Sequence, residues 1–168
     1  MRRVRYSVAA SLDGYIAGPR GEADWITMDP DIDFAALFES FDTVLMGRKT
    51  FEVAGGGGDS GMKTYVFSRT LRPQDHPGVT VVADQAEETV AALRAGPGKD
   101  IWLFGGGVLF RSLARAGLVD RVEVGVMPVL LGGGIPLLPP PADQIKLKLV
   151  GHTVYKSGVV GLEYAVQV

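Results

Sequence analysis

Three places in this 168-residue sequence put glycine, hydroxyl and cationic residues directly after an apolar run of strand length. Ile101-Trp102-Leu103-Phe104 leads into Gly105-Gly106-Gly107, Thr43–Met46 leads into Gly47-Arg48-Lys49-Thr50, and Thr64–Phe67 leads into Ser68-Arg69-Thr70. Where a strand turns into a helix, the unpaired N–H groups at the helix amino end favour an anion, and glycine lets a phosphate come close. Arg48, Lys49 and Arg69 can neutralise phosphate oxygens, and Thr50 and Ser68 can donate hydrogen bonds. Taken singly, each segment reads equally well as a tight or solvated polar turn, and the triple glycine matches neither G-x-G-x-x-G nor a P-loop. Ligands of open α/β sheets bind at the carboxyl ends of strands, so one extended polyanion can touch all three.

The elements that must position these segments follow from periodicity. Apolar runs at Val4–Ala10, Thr43–Met46, Thr64–Phe67, Val79–Val82, Ile101–Phe104 and Arg121–Val126 predict strands. Helices are predicted between several of them, over Asp31–Phe41, Gln85–Arg94 and Val108–Ala116, the last stopped by Gly117. Asp31 or Asp33 can cap the first helix, and Glu87-Glu88 suit the start of the second. Ile145–Tyr155 and Val159–Val168 alternate as an antiparallel hairpin around Lys156-Ser157-Gly158, placed at a sheet edge. The stretches Gly55–Gly61 and Leu131–Pro136 are loops by composition, the first expected to be mobile. The order predicts one α/β domain over residues 1–168, with a mostly parallel central sheet flanked by helices.

Composition removes several classes. Hydrophobic residues make up 46% and charged residues 21%, ordinary for a soluble protein, and no apolar run approaches the roughly 18–20 residues of a membrane span. The basic then apolar amino terminus is cut short by Asp13 and reads as a first strand, not a signal peptide. With no Cys, neither disulfides nor thiolate metal sites are expected, and a cytoplasmic location follows by default. His76 and His152 read as surface groups, and no metal is expected. A net charge of −2 with scattered Lys and Arg gives no field for nucleic acid.

Met46-Gly47-Arg48-Lys49-Thr50-Phe51, Phe67-Ser68-Arg69 and Phe104-Gly105-Gly106-Gly107-Val108-Leu109-Phe110, in this order and spacing, resemble the three NADPH-binding segments of the dihydrofolate reductase superfamily. Ser11-Leu12-Asp13-Gly14-Tyr15-Ile16-Ala17 is similar to the same superfamily, especially its branch containing the reductase domain of riboflavin biosynthesis. The resemblance runs from Val4 to about Leu138 and implies the three-layer fold of that superfamily, NADPH as cofactor, and hydride transfer to a small, pterin- or pyrimidine-like substrate. It implies that Gly47, Arg48, Lys49 and Thr50 surround the phosphates, with Arg48, Ser68 and Arg69 near the 2′-phosphate. Gly105, Gly106, Gly107 and the amides of Val108 and Leu109 would receive the pyrophosphate, and the backbone of Ala9 and Ile16 the nicotinamide carboxamide. On the substrate side the implied carboxylates are Asp13, Asp31 and Asp33, each of which also reads as a turn or capping residue. Asp24-Trp25 is similar to the Pro-Trp of folate reductases without the proline, so Trp25 is expected to line the pocket on a loop that closes over the nicotinamide. Met127–Leu130 and Gly132-Gly133-Gly134 replace a polar Gly-Asp-Thr stretch, which points away from folate. The zinc deaminase half of a bifunctional riboflavin enzyme is excluded by the missing Cys. Two rivals stand beside the general reading: a ribosylaminopyrimidine reductase, and a nucleotide-binding protein of this fold that has lost catalysis. A homodimer is expected by family analogy, through the carboxyl-terminal hairpin.

Overall fold

The computed structural model describes residues 1–54 and 61–168, so nearly all of the glycine run expected to be mobile lies outside the described residues. Each of the six predicted runs forms a strand. They are β1 (Val4–Ser11), β3 (Phe41–Gly47), β4 (Lys63–Phe67), β5 (Thr80–Val82), β6 (Asp100–Gly105) and β7 (Arg121–Met127). Two short strands, β2 (Tyr15–Ala17) and β8 (Ile135–Pro136), pair with each other, and β9 (Leu147–Val154) and β10 (Val160–Val166) form the hairpin. The main sheet runs β5-β4-β3-β6-β1-β7-β10-β9, parallel through β7 and antiparallel across the last two pairings.

Alternation along the strands explains the layers. Val4, Tyr6 and Ala10 of β1 join Ile101 and Leu103 of β6, and Leu45 of β3, in one buried cluster. Val90 of α3 (Ala86–Ala95) and Phe110 and Leu113 of α4 (Gly107–Arg115) cover that face, the Tyr6 and Phe110 rings stacking at 4.0 Å. Val44 and Met46 turn the other way and meet Phe51 of α2 (Arg48–Val53), which is 1% exposed. On that second face Phe38 of α1 (Phe34–Glu39) lies against Trp102. Burying each such side chain contributes about 1.5–3 kcal/mol.

Three expectations shift. The first helix occupies only residues 34–39, and Phe41 belongs to β3, buried beneath the Arg5 guanidinium (4.4 Å to the ring centroid) and stacked on Trp102. A sheet contact outranks helical periodicity there. Helix α3 starts after Gln85, whose φ of 60° is left-handed. The stretch 131–136, a loop by composition, ends in β8 because Tyr15 and Ala17 supply it with a partner strand.

Candidate functional site

Parallel pairing brings the ends of β4, β3 and β6 side by side. Gly47 is in register with Phe67, so Ser68 follows beside Arg48, and Met46 is in register with Gly105. The two glycine-bearing turns face each other: a Cβ on Gly47 would sit 3.9 Å from the Gly106 N–H nitrogen. The Thr50 hydroxyl lies 3.5 and 3.6 Å from the Cβ positions of Gly105 and Gly106. Gly105 has φ of 153°, a conformation that side chains rarely adopt, and the Gly105–Gly106 peptide is cis. Gly106 precedes α4 with no side-chain cap on the helix, leaving the first-turn amides available to an anion. Gly107 is packed against the chain itself. A Cβ there would meet Pro139 Cδ at 2.6 Å and the Pro136 carbonyl oxygen at 2.7 Å, so this third glycine lets the 136–139 strap lie against α4. Val108 is exposed on the first turn, and Leu109 packs toward the core.

Farther out, Ser68 is fixed by its N–H donating to the Val82 carbonyl (3.0 Å), and its hydroxyl accepts the N–H groups of Thr70 and Leu71. Arg69 is 82% exposed and reaches Asp84 at 3.3 Å. Ser68, Arg69, Asp84 and Gln85 line a cleft of about 280 Å³. Arg48 pairs with Glu52 one helical turn on, at 3.0 Å, and Lys49 is exposed. Exposed pairs of this kind contribute about 0–1 kcal/mol, so a bound phosphate can replace either carboxylate.

At the other end, Ala9 of β1 is in register with Gly125 and half-buried, and Ile16 of β2 packs against the core. Asp13 is a clamp. One carboxylate oxygen accepts the Ser11 hydroxyl (2.6 Å) and the Leu131 N–H (3.1 Å), and the other accepts the Gly132 N–H (2.8 Å). The Ser11 hydroxyl and these two N–H groups hold its carboxyl down at about 2. Asp33 caps α1, accepting the Ala36 N–H at 3.0 Å. Asp31 is exposed and gives its own N–H to Asp29. Trp25 is half-buried, its indole N–H donating to the Glu22 carbonyl (2.9 Å). The segment that carries it crosses the end of β7, where the Thr27 N–H meets the Met127 sulfur at 3.4 Å.

Sequence reasoning passed over three of the groups assembled here. Asp29 is 4% exposed, accepts the N–H groups of Asp31 (2.8 Å) and Ser157 (3.3 Å), and so ties the Trp25 segment to the hairpin turn. Bonds from Ser157 and Asp31 hold its carboxyl below the usual range. Its only sequence signal is the turn-forming Asp29-Pro30 pair. Trp102 and Phe104, read as members of an apolar run, form an edge-on pair at 4.6 Å that with Phe38 makes an aromatic wall. Alternation within β6 assigns both to the face opposite Leu103. The histidines lie elsewhere: His76 edges onto Phe51, and His152 is on β9. Among the described residues no group of three or more His, Cys, Asp or Glu can hold a metal, and no helix is long and apolar enough to cross a membrane.

The mostly parallel sheet, its antiparallel end and these facing turns define a dihydrofolate-reductase-like fold. Dihydrofolate reductase from Enterococcus faecalis, solved with NADP(H), superimposes with a TM-score of 0.71 at 20% identity, over 98% of this chain and 94% of that one. A protein of Shewanella sp. PV-4 named as a putative riboflavin biosynthesis protein superimposes with a TM-score of 0.82 at 26% identity, over the whole of both chains. The uncharacterized protein YyaP of Bacillus subtilis (strain 168) is 38% identical, over 97% of this chain and 94% of its own. Residues 2–161 match the RibD C-terminal domain, and the chain belongs to that family.

Proposed function

We propose that this protein is a reductase that uses NADPH to deliver hydride to a small heterocyclic acceptor, pterin- or pyrimidine-like. The observation that carries the reading is the approach of Gly47 to Gly106 across adjacent parallel strand ends, with Ser68 next in line. A dinucleotide lying across these strand ends would pass over Gly47, where a side chain would point toward the Gly106 N–H, and beside the uncapped α4 amides. In this reading Gly47, Gly105 and Gly106 leave room for the pyrophosphate, and the Val108 and Leu109 amides donate to it. Arg48, Ser68 and Arg69 take the 2′-phosphate, with Lys49 and Thr50 at the other phosphates. Ala9 and Ile16 hold the carboxamide through their backbones. When bound, the reduced nicotinamide supplies the hydride. Phe38, Trp102 and Phe104 supply an apolar wall that excludes water and orients a flat acceptor, with Trp25 on the loop expected to close over it.

Asp13 serves this chemistry as a positioning group: with three donors already on its ionised carboxylate, it fixes the 131–132 turn beside β1. Family membership favours a ribosylaminopyrimidine among the candidate acceptors. Calorimetry with NADPH, followed by loss of reduced-nicotinamide absorbance over pterin and ribosylaminopyrimidine acceptors, tests the reading. No NADPH binding at millimolar concentration overturns it, and tight binding without turnover of any acceptor leaves the nucleotide-binding rival. A homodimer through β9 belongs to the same proposal. This edge strand exposes Leu149 (50%), Val150 (49%) and Val154 (72%) beside unpaired backbone groups, a combination that monomers avoid. Light scattering at twice the chain mass is the expected result.

A further inference from the structure

We infer that Asp84 sets the nucleotide preference of this site and makes it accept NADH nearly as well as NADPH. The inference rests on the reductase reading and concerns the outer cleft. Ser68 and Val82 are locked together by a 3.0 Å backbone hydrogen bond, so the residues that follow them face one another across the 280 Å³ cleft. On one side stands the Arg69 guanidinium, which suits a 2′-phosphate. On the other stands the Asp84 carboxylate, 3.3 Å from it, which suits the hydroxyls of an unphosphorylated ribose and repels a phosphate. The surroundings lean further to the negative side. Helix α3 starts at this cleft with Glu87 and Glu88 in its first turn, and Glu52 stands beside the other guanidinium of the phosphate set, Arg48. Both cations thus meet a 2′-phosphate beside carboxylates, whereas NADH forgoes those contacts and retains Asp84 as an acceptor.

The test is calorimetric titration of NADPH and NADH into the wild type, Asp84→Asn and Arg69→Ala. Asp84 is 72% exposed and pairs with the exposed Arg69, so the Asn variant keeps the fold, and a thermal melt checks this. Wild type should prefer NADPH over NADH by less than about tenfold, and Asp84→Asn should raise that ratio by about two- to fivefold, the range of one exposed charge contact. Arg69→Ala should weaken NADPH and leave NADH unchanged. A wild-type ratio above about tenfold, or a ratio unmoved in Asp84→Asn, overturns the inference while the reductase reading stands. Failure of both nucleotides to bind removes the reductase reading itself.

Discussion

Adding one methyl group at each of two glycines separates the part of the glycine-rich architecture proposed to serve a ligand from the part that serves the chain. In Gly47→Ala the new Cβ stands 3.9 Å from the Gly106 nitrogen, ordinary contact distance, and Gly47 has extended backbone angles that alanine adopts. The free protein should therefore tolerate it, with stability within about 0.5 kcal/mol of wild type. The same methyl occupies the gap proposed for the pyrophosphate. Displacing a charge-assisted hydrogen bond to a phosphate oxygen costs about 1.5–3 kcal/mol, or roughly a 10- to 150-fold rise in the NADPH dissociation constant. In Gly107→Ala the balance reverses. Its Cβ meets a proline ring carbon at 2.6 Å and a backbone oxygen at 2.7 Å, neither of which is the end of a flexible side chain. Overpacking of this kind costs about 1–3 kcal/mol, partly offset by the helix preference of alanine, so a melting temperature lower by about 2–8 °C is expected. Differential scanning fluorimetry and calorimetric titration on both variants give the four numbers needed. If Gly47→Ala binds NADPH like wild type while keeping its melting temperature, the gap is not the phosphate path. If Gly107→Ala melts no lower than wild type, the 136–139 strap is not tight against α4.

Other consequences are equally direct. The Asp13 carboxyl titrates at about 2, below its ordinary value near 3.9, so the stability it lends the 131–132 turn is present above about pH 4 and is lost as pH falls through about 2. The protection factors of the Leu131 and Gly132 N–H groups, with the intrinsic pH dependence of exchange divided out, should fall across that window in wild type, and in Asp13→Asn they should be low and insensitive to pH. Asp29→Asn presents a donor to one of two N–H groups that now find acceptors, so exchange at Asp31 and Ser157 should rise by about tenfold, with Trp25 emission moving to the red. Unchanged exchange at both positions would show that Asp29 does not hold the segment.

The strands and the residues at their carboxyl ends were readable because parallel strands buried on both faces leave unbroken apolar runs, and the residues closing each run stand out against them. Gly47, Ser68 and Gly105 announce themselves in this way. Asp29 does not: its burial comes from a turn more than a hundred positions away, and nothing near it in the chain separates a tethered aspartate from a solvated one. Phe41 was misassigned to a helix because an aromatic at helical spacing and an aromatic opening a strand look alike until Arg5 and Trp102 are placed around it. Gly107 was legible as a glycine but not in its purpose, since Pro136 and Pro139 reach it only through the fold.

The collar formed by β2 and β8 has a bearing on how relatives of this protein can diverge. Gly134 leaves no space before the Ala17 carbonyl oxygen, which would lie 2.2 Å from a Cβ, and Asp13 grips the backbone two residues earlier. A segment held at both margins admits no change of length without breaking one of them. On the proposed reductase reading, new acceptor preferences would arise through residues 19–33 and the hairpin turn they lean on, which can lengthen, shorten and exchange side chains while the facing turns of Gly47 and Gly106 stay as they are.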